Sequence, residues 1–112
     1  QLFSLSGYGW AARFLQHYVR ERQVLSLGEA IRRITSLPAS RLGLHDRGRL
    51  KVGQWADVTV FNPDQIESRF TASQPRVYPG GIVHVMVNGE LAMQDGGRTE
   101  CQAGRVLRDF RA

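Results

Sequence analysis

The sequence predicts an α+β fold, in which helices occupy the N-terminal part and short strands follow. Three observations support this prediction: an apolar stripe at helical spacing, a capping box ahead of a second helix, and strand-like segments that flank an Asn-Gly pair. We place the boundary near residues 44–46. Residues 1–45 are then a helical segment, and residues 46–112 are a segment of strands.

The first predicted helix covers residues 10–22. Its apolar positions follow the i, i+3, i+4, i+7 spacing that puts side chains on one helix face, and they are Ala11, Phe14, Leu15 and Tyr18. Gly7-Tyr8-Gly9 marks the start. This Gly-x-Gly follows no predicted strand and lacks the rest of a dinucleotide fingerprint, so it does not indicate a phosphate site.

Two more helices are predicted before the boundary. Ser26-Leu27-Gly28-Glu29 is a capping box, in which the serine hydroxyl and the glutamate carboxylate each accept from the other residue's N–H. It predicts a helix over residues 26–35. Ser36-Leu37-Pro38 looks like a second N-cap, since proline is tolerated in a first helical turn. The short helix over residues 38–42 then closes at Gly43, a typical C′ residue.

Five short strands are predicted in the second part, at residues 49–51, 56–61, 82–87, 90–94 and 104–108. Residues 56–61 alternate in polarity and are rich in β-branched side chains. Asn88-Gly89 is the strongest short signal for a hairpin, because a type I′ turn needs two positive φ angles. Residues 65–81 show no clean period, so we predict a long loop that wraps a body outside this chain.

Composition excludes several classes of protein. The chain is 42% hydrophobic and 22% charged, as in ordinary globular proteins, which excludes a wholly disordered chain. No stretch approaches the roughly 20 apolar residues of a membrane span, so no membrane partner is expected. A single cysteine, Cys101, excludes an internal disulfide and a cysteine-based zinc cluster. The start at Gln1 resembles a cut or processed chain rather than a signal peptide.

The positive charge lies in the first half. The net charge is +5, from 15 basic and 10 acidic residues. Residues 1–50 hold eight arginines and three acids, and residues 51–112 hold seven basic and seven acidic residues, so the second half is neutral. A basic half can be a nucleic-acid face, but the arginines lack interleaved aromatic residues, and we expect no nucleic-acid partner. The other interpretation is a half that packs against something absent.

No active site can be assembled from the residues of this chain. A metal site needs converging ligands, and no two of His17, His45 and His84 have metal-ligand spacing. We interpret His17 as a structural histidine, His45 as a surface or capping residue, and His84 as a core or interface residue bonded to backbone. Cys101 is interpreted as an unreactive thiol and Asp57 as a structural carboxylate. We therefore predict no catalytic, cofactor-binding or metal-binding residue here.

Several motifs resemble the C-terminal end of metal-dependent amidohydrolases. They are the run from Ser26 to Pro38-Ala39, the strand Ala56-Asp57-Val58-Thr59-Val60-Phe61-Asn62-Pro63, and the hairpin Val85-Met86-Val87-Asn88-Gly89. Two further features are similar to the N-acyl-D-amino-acid deacylase (D-aminoacylase) branch. They are the helix Arg13-Phe14-Leu15-Gln16-His17-Tyr18-Val19-Arg20-Glu21, and Pro79-Gly80-Gly81-Ile82 with the closing Gly104-Arg105-Val106-Leu107-Arg108. The resemblance covers about residues 8–108.

This resemblance implies a structural role inside a longer enzyme. The helices would cover the end of a (β/α)8 barrel, the strands would complete a small β-sandwich, and the partner would be the missing catalytic barrel. The parent enzyme would bind zinc through ligands that lie upstream of this chain. No zinc would be bound by the residues of this chain. The chain alone is expected to be inactive, cytoplasmic and prone to self-association through its exposed apolar face.

Two alternatives stay open at this point. The parent could be another amidohydrolase of the hydantoinase or dihydroorotase kind, which shares the strand motif, or the chain could be a stand-alone interaction domain. Deacylases of the branch often carry His-Pro-Arg where this chain has Ser4-Leu5-Ser6. That difference leaves the substrate open, but not the superfamily.

Overall fold

A computed structural model describes residues 9–108, and Ser4-Leu5-Ser6 lies outside them. Contacts divide the described chain into two units. The first combines residues 9–30 with 61–82, and the second combines residues 31–60 with 83–108. Each unit therefore joins an early segment to a late one.

The first helix changes its hydrogen-bonding pattern after one turn. Helix α1 spans Trp10–Arg13, and a π-helical segment continues over Phe14–Glu21. The π register is closed by Arg22 N–H, which donates to the His17 carbonyl five residues back at 2.8 Å. The sequence predicts the helix but not this register. Because a π turn uses more residues than an α turn, positions at α-helical spacing drift off one face: Leu15 is buried, whereas Tyr18 is 45% exposed.

The serine bond of the capping box forms at the start of the second helix, α2, which spans Leu27–Ile34. Glu29 N–H donates to the Ser26 hydroxyl at 3.2 Å. This bond satisfies one of the donors that a helix N-terminus leaves without a partner. The predicted position of this helix is therefore confirmed at both ends.

The third helix, α3, spans Ser36–Arg41, two residues earlier than predicted. The predicted cap at Ser36 is wrong, because Ser36 is already helical and Thr35 occupies the cap position without a side-chain cap bond. The end is as predicted. Gly43 has a φ of +73°, and the N–H groups of Gly43 and Leu44 donate to the carbonyls of Ser40 and Ala39, the two bonds of a Schellman motif.

Four strands form one sheet in the order β1-β2-β3-β4. Their bounds are Val58–Phe61, Ile82–Val87, Glu90–Gln94 and Gly97–Arg98. Asn88 and Gly89 connect β2 to β3 with φ angles of +49° and +84°, as the predicted type I′ turn requires. Strands β2 and β3 are antiparallel, and their register shifts by one residue between Val85 and Met86.

Two predicted strands are wrong and one strand was missed. Residues 49–51 form no strand; Leu50 is 81% exposed, so no neighbouring strand covers it. Residues 104–108 also have no regular structure. Strand β4 was missed because Asp95-Gly96 looks like the end of a strand. It is a second tight turn with positive φ at both residues, and it returns the chain to pair with β3.

The long segment before β2 is largely irregular, as predicted, but it packs on its own unit. Ser68 N–H donates to the Gln16 side chain at 3.0 Å, and a Cβ added to Gly9 would lie 2.7 Å from the Phe70 ring. Glu67 and Gly80 form an isolated antiparallel bridge across the segment. Part of this segment therefore lies on the first helix, and its packing on a body outside this chain stays a prediction.

Few apolar side chains of the described residues are fully shielded from solvent. The buried ones are Ala12, Leu15, Ala30, Ala39 and Ile66. Three of these five are alanines, which bury little area, so the hydrophobic contribution to stability is small. Large apolar residues remain outside this core, among them Val52, Tyr78 and Val106, which are 102%, 68% and 78% exposed.

Gly81 is the glycine whose backbone the first unit most strictly requires. Its φ is +87°, and a Cβ there would lie 2.6 Å from the main chain of Gln65 and Ile66. We expect Gly81→Ala to lower the free energy of unfolding by about 1–2 kcal/mol for the left-handed backbone and by a further ~1–3 kcal/mol for overpacking.

Gly89→Ala is the matched control for this substitution. Its φ is +84°, but nothing lies within 4 Å of the added Cβ, so only the backbone term applies. Urea unfolding of both variants, followed by circular dichroism, gives the comparison. Equal losses for the two variants would contradict the close approach at Gly81.

Candidate functional site

The two strand motifs of the sequence meet at one carboxylate. One oxygen of Asp57 accepts the Asn88 N–H at 2.9 Å, and the other oxygen is ion-paired with Arg47. Beside this contact, Gly89 N–H donates to the Ala56 carbonyl at 2.9 Å. The Ala-Asp pair that leads into β1 is thus fastened to the Asn-Gly turn between β2 and β3. We call Arg47, Asp57 and Asn88 the carboxylate clasp.

The clasp also holds the segment that follows the sheet. The Asn88 side-chain amide donates to the Ala103 carbonyl at 2.6 Å. Closer to β4, the Thr99 hydroxyl donates to the Leu91 carbonyl at 2.6 Å and Thr99 N–H to the Ala92 carbonyl at 3.0 Å. These bonds give residues 99–103 a defined path although they form no strand.

A tryptophan lies between the clasp and the last described residues. The guanidinium groups of Arg47 and Arg105 lie 5.3 and 5.4 Å from the Trp55 ring centroid, within the range of cation–π contacts. The Trp55 indole N–H donates to Asp46 at 3.0 Å. These residues line a cleft of about 590 Å³, whose walls are residues 43–47, Trp55 and residues 105–108.

The clasp positions backbone. Each oxygen of Asp57 makes one of its two contacts, and the Arg47 side chain is only 12% exposed. The interpretation of Asp57 as a structural carboxylate stays a prediction.

The three histidines lie in separate places. His17 is hydrogen-bonded to the Glu21 carboxylate at 3.1 Å, and this bond, assisted by the Gln16 amide, lowers the pKa of Glu21 below its ordinary value. His45 is exposed in a turn, where its carbonyl accepts from the Gln54 amide at 2.9 Å. His84 accepts the Asp95 N–H at 3.2 Å, which is the backbone bond expected for it.

Within residues 9–108, no side chains converge in the way that the ligands of a metal ion do. No group of three or more His, Cys, Asp or Glu residues in that range could hold a metal ion. Cys101 is half-buried, and its N–H donates to the Thr99 hydroxyl at 3.2 Å. The same range contains no helix long and apolar enough to cross a membrane.

Sequence reasoning missed the arrangement around Trp55 and the partner of Arg47. It treated the arginines of the first half only as a group, whereas Arg47 pairs with Asp57 ten residues later. A usable signal existed, because Asp57 directly precedes the strand-like residues 58–61, where a carboxylate is commonly hydrogen-bonded. Nothing in the spacing identified Asn88 as the donor to the second oxygen.

The sequence profile described as "Amidohydrolase family" matches residues 3–93 of the chain. The chain belongs to the amidohydrolase family. It is 45% identical over 101 residues to the N-acyl-D-glutamate deacylase of Alcaligenes xylosoxydans xylosoxydans, a match of 90% of this chain and 20% of that protein. It is 38% identical to the D-aminoacylase of the same organism, over 89% of this chain and 21% of that protein.

Solved structures of the same two kinds of enzyme share the fold of this chain. The crystal structure of D-aminoacylase matches with a TM-score of 0.81 and 36% identity, over 88% of this chain and 21% of that one. A second structure is that of N-acyl-D-glutamate deacylase from Bordetella bronchiseptica, complexed with zinc and a phosphonate inhibitor. It matches with a TM-score of 0.71 and 41% identity, over 78% of this chain and 19% of that one. This chain therefore spans about a fifth of the length of these relatives.

The D-aminoacylase branch, expected from the helix and loop motifs, is confirmed by these matches. The helices and the antiparallel sheet match a fragment of D-aminoacylase, as the predicted α+β class requires. A further D-aminoacylase structure is described in terms of a binuclear metal center. Metal binding is therefore a property of the relatives.

Removing the Asp57 carboxylate should loosen the clasp. Asp57→Ala leaves the Asn88 N–H and the Arg47 guanidinium without their acceptor, and we expect the free energy of unfolding to fall by about 1–3 kcal/mol. Asp57→Asn keeps an acceptor for the Asn88 N–H and loses mainly the ion pair with Arg47, so a smaller loss than that of Asp57→Ala is expected.

Asp64→Ala is the control for the loss of one negative charge, because Asp64 is exposed and lies in a turn. Chemical denaturation of the three variants at neutral pH gives the order of stabilities. The clasp is disproved as a stabilising element if Asp57→Ala unfolds at the same denaturant concentration as Asp64→Ala.

Proposed function

We propose that this chain is the C-terminal portion of a zinc-dependent enzyme that hydrolyses the amide bond of N-acyl-D-amino acids. The observation that carries the proposal is the match, over nearly all of this chain, to an N-acyl-D-glutamate deacylase. Because the chain spans about a fifth of that protein, the activity belongs to the longer polypeptide.

Within that enzyme, we assign this chain a structural role. Residues 1–45 pack on the end of the catalytic (β/α)8 barrel, and residues 46–112 complete a small β-sandwich beside it. Two observations support this assignment. The described residues bury few large apolar side chains and expose many, and the clasp organises strands rather than a reactive group.

The catalytic barrel is the partner in this proposal, and the whole enzyme is cytoplasmic. Zinc, when bound there, polarises the amide carbonyl and activates water. The described residues of this chain do not fit a zinc ion, since they provide no converging ligand set. The proposal therefore takes no catalytic or metal-binding residue from this chain.

The activity of the longer polypeptide is the direct test. We expect the full-length protein to hydrolyse N-acetyl-D-glutamate or N-acetyl-D-leucine, with amine release followed by a ninhydrin assay. The L-enantiomers are the matched control, because a D-specific site leaves the L-substrate misaligned for attack. Hydrolysis of neither D-substrate would contradict the proposal, and hydrolysis of a cyclic ureide would favour a dihydroorotase-like enzyme.

The metal content of the isolated chain is a separate test. We expect a zinc-to-chain ratio near zero in native mass spectrometry after dialysis against a zinc-buffered solution. The full-length protein treated in the same way is the positive control. A ratio near one for the isolated chain would show that His17, His45, His84 or Cys101 converge, and the assignment of all ligands to the upstream part would fail.

A further inference from the structure

The turn between β2 and β3 consists of a pair of residues that can react with each other. A type I′ turn needs two positive φ angles, and Asn88 and Gly89 supply them at +49° and +84°. The same pair is chemically reactive, because the nitrogen of the second residue can attack Cγ, the side-chain amide carbon of asparagine. Glycine has no Cβ to hinder this approach. Asn88 is therefore a candidate site for deamidation.

Asn62, the other asparagine of the chain, lacks this chemistry. It is followed by Pro63, whose nitrogen carries no proton to lose. Attack by the following nitrogen is thus confined to Asn88, and Asn62 is an internal reference for the same residue type.

In the folded chain, both reacting groups are bonded to other segments. Gly89 N–H donates to the Ala56 carbonyl at 2.9 Å, so the proton that must leave is already hydrogen-bonded. Nδ2 of Asn88 donates to the Ala103 carbonyl at 2.6 Å, which holds the side chain in place. Oδ1 of Asn88 is buried, and the attack would put negative charge on this oxygen away from water.

The carboxylate clasp fixes the main chain on the other side of the asparagine, because Asp57 accepts the Asn88 N–H at 2.9 Å. The ring formed in the reaction joins the side chain of Asn88 to its own main chain. Its formation requires rotation of the peptide group that carries the Gly89 N–H, and that rotation breaks the bond to the Ala56 carbonyl. The turn must therefore open locally before the attack takes place.

We propose that Asn88 is a site of spontaneous deamidation that the clasp keeps closed and that reacts when the turn opens. The Gly89 nitrogen loses its proton and bonds to Cγ, the bond from Cγ to Nδ2 breaks, and ammonia leaves with that proton. Water then opens the five-membered imide. Cleavage at Cγ gives aspartate, and cleavage at the main-chain carbonyl carbon gives isoaspartate. No oxidant or reductant takes part.

Either product prevents the turn from closing as before. Aspartate has no N–H to donate to the Ala103 carbonyl, and it places a second carboxylate beside Asp57. Isoaspartate adds a methylene to the main chain of a two-residue turn, which disturbs the register of β2 and β3. A molecule that has opened at this turn is therefore altered irreversibly. This inference concerns the lifetime of the fold and is independent of the proposed activity.

The deamidation rate of the complete polypeptide tests the proposal. The protein is kept at mildly alkaline pH with and without guanidinium chloride and digested with pepsin in acid, and the peptides containing Asn88 and Asn62 are quantified by mass spectrometry. Without denaturant, Asn88 should react at least about tenfold more slowly, because only the open fraction of molecules reacts. The Asn62 peptide should stay intact in both samples. Equal rates at Asn88 with and without denaturant overturn the proposal.

Asp57→Ala tests the part played by the clasp. It removes the acceptor of the Asn88 N–H, so deamidation without denaturant should become about tenfold faster. Asp64→Ala removes an exposed carboxylate from a turn and should leave the rate unchanged. Equal rates for the two variants overturn the role of the clasp. If Asp57→Ala lacks the circular dichroism of the unaltered protein, the comparison with and without guanidinium chloride decides the question.

Asn88→Asp reproduces one product and tests its consequence. Asn62→Asp is the matched control, because Asn62 uses Oδ1 to accept the Asp64 N–H at 2.9 Å and aspartate keeps that oxygen. Asn88→Asp should unfold at a lower denaturant concentration than Asn62→Asp. Equal midpoints, or the reverse order, would contradict the claim that deamidation prevents the turn from closing.

Discussion

The second unit depends on the two contacts that the carboxylate of Asp57 makes. Asp57 accepts a backbone N–H from the hairpin turn with one oxygen and binds an arginine from the turn after α3 with the other. Three stretches that are distant in sequence are thereby held at one point. The hydrogen bond reaches a turn whose geometry is already set by Asn88 and Gly89, so little conformational entropy is lost when it forms. The same asparagine then positions the chain beyond the sheet.

Such polar contacts matter because the apolar core is small. The described residues bury mainly alanines, with Leu15 and Ile66 as the larger exceptions. Hydrophobic burial scales with area, so directed hydrogen bonds, glycine turns and caps determine more of the local structure here than they do in a larger domain. The unusually exposed valines and leucines are consistent with a chain that spans about a fifth of the length of its relatives.

Local chemistry made parts of the fold predictable. The capping box, the glycine that ends α3 and the Asn-Gly hairpin each follow from the conformational preferences of a few adjacent residues, and all three occur as expected. The wrong predictions concern structure that depends on contacts between separate segments rather than on adjacent residues. Residues 49–51 and 104–108 have strand-like composition but no strand beside them, and β4 forms only because a second tight turn brings it to β3. The π register of the first helix likewise has no signature in the apolar spacing.

The sequence by itself determined the family, the positions of the turns and the hairpin, since these depend on short motifs read along the chain. Only the tertiary structure decided that Arg47 is the partner of Asp57 and that Trp55 lies between two arginines. Each of these contacts joins residues that are not neighbours in the chain. Pairing across such distances is set by the packing of all strands together, which no local pattern encodes.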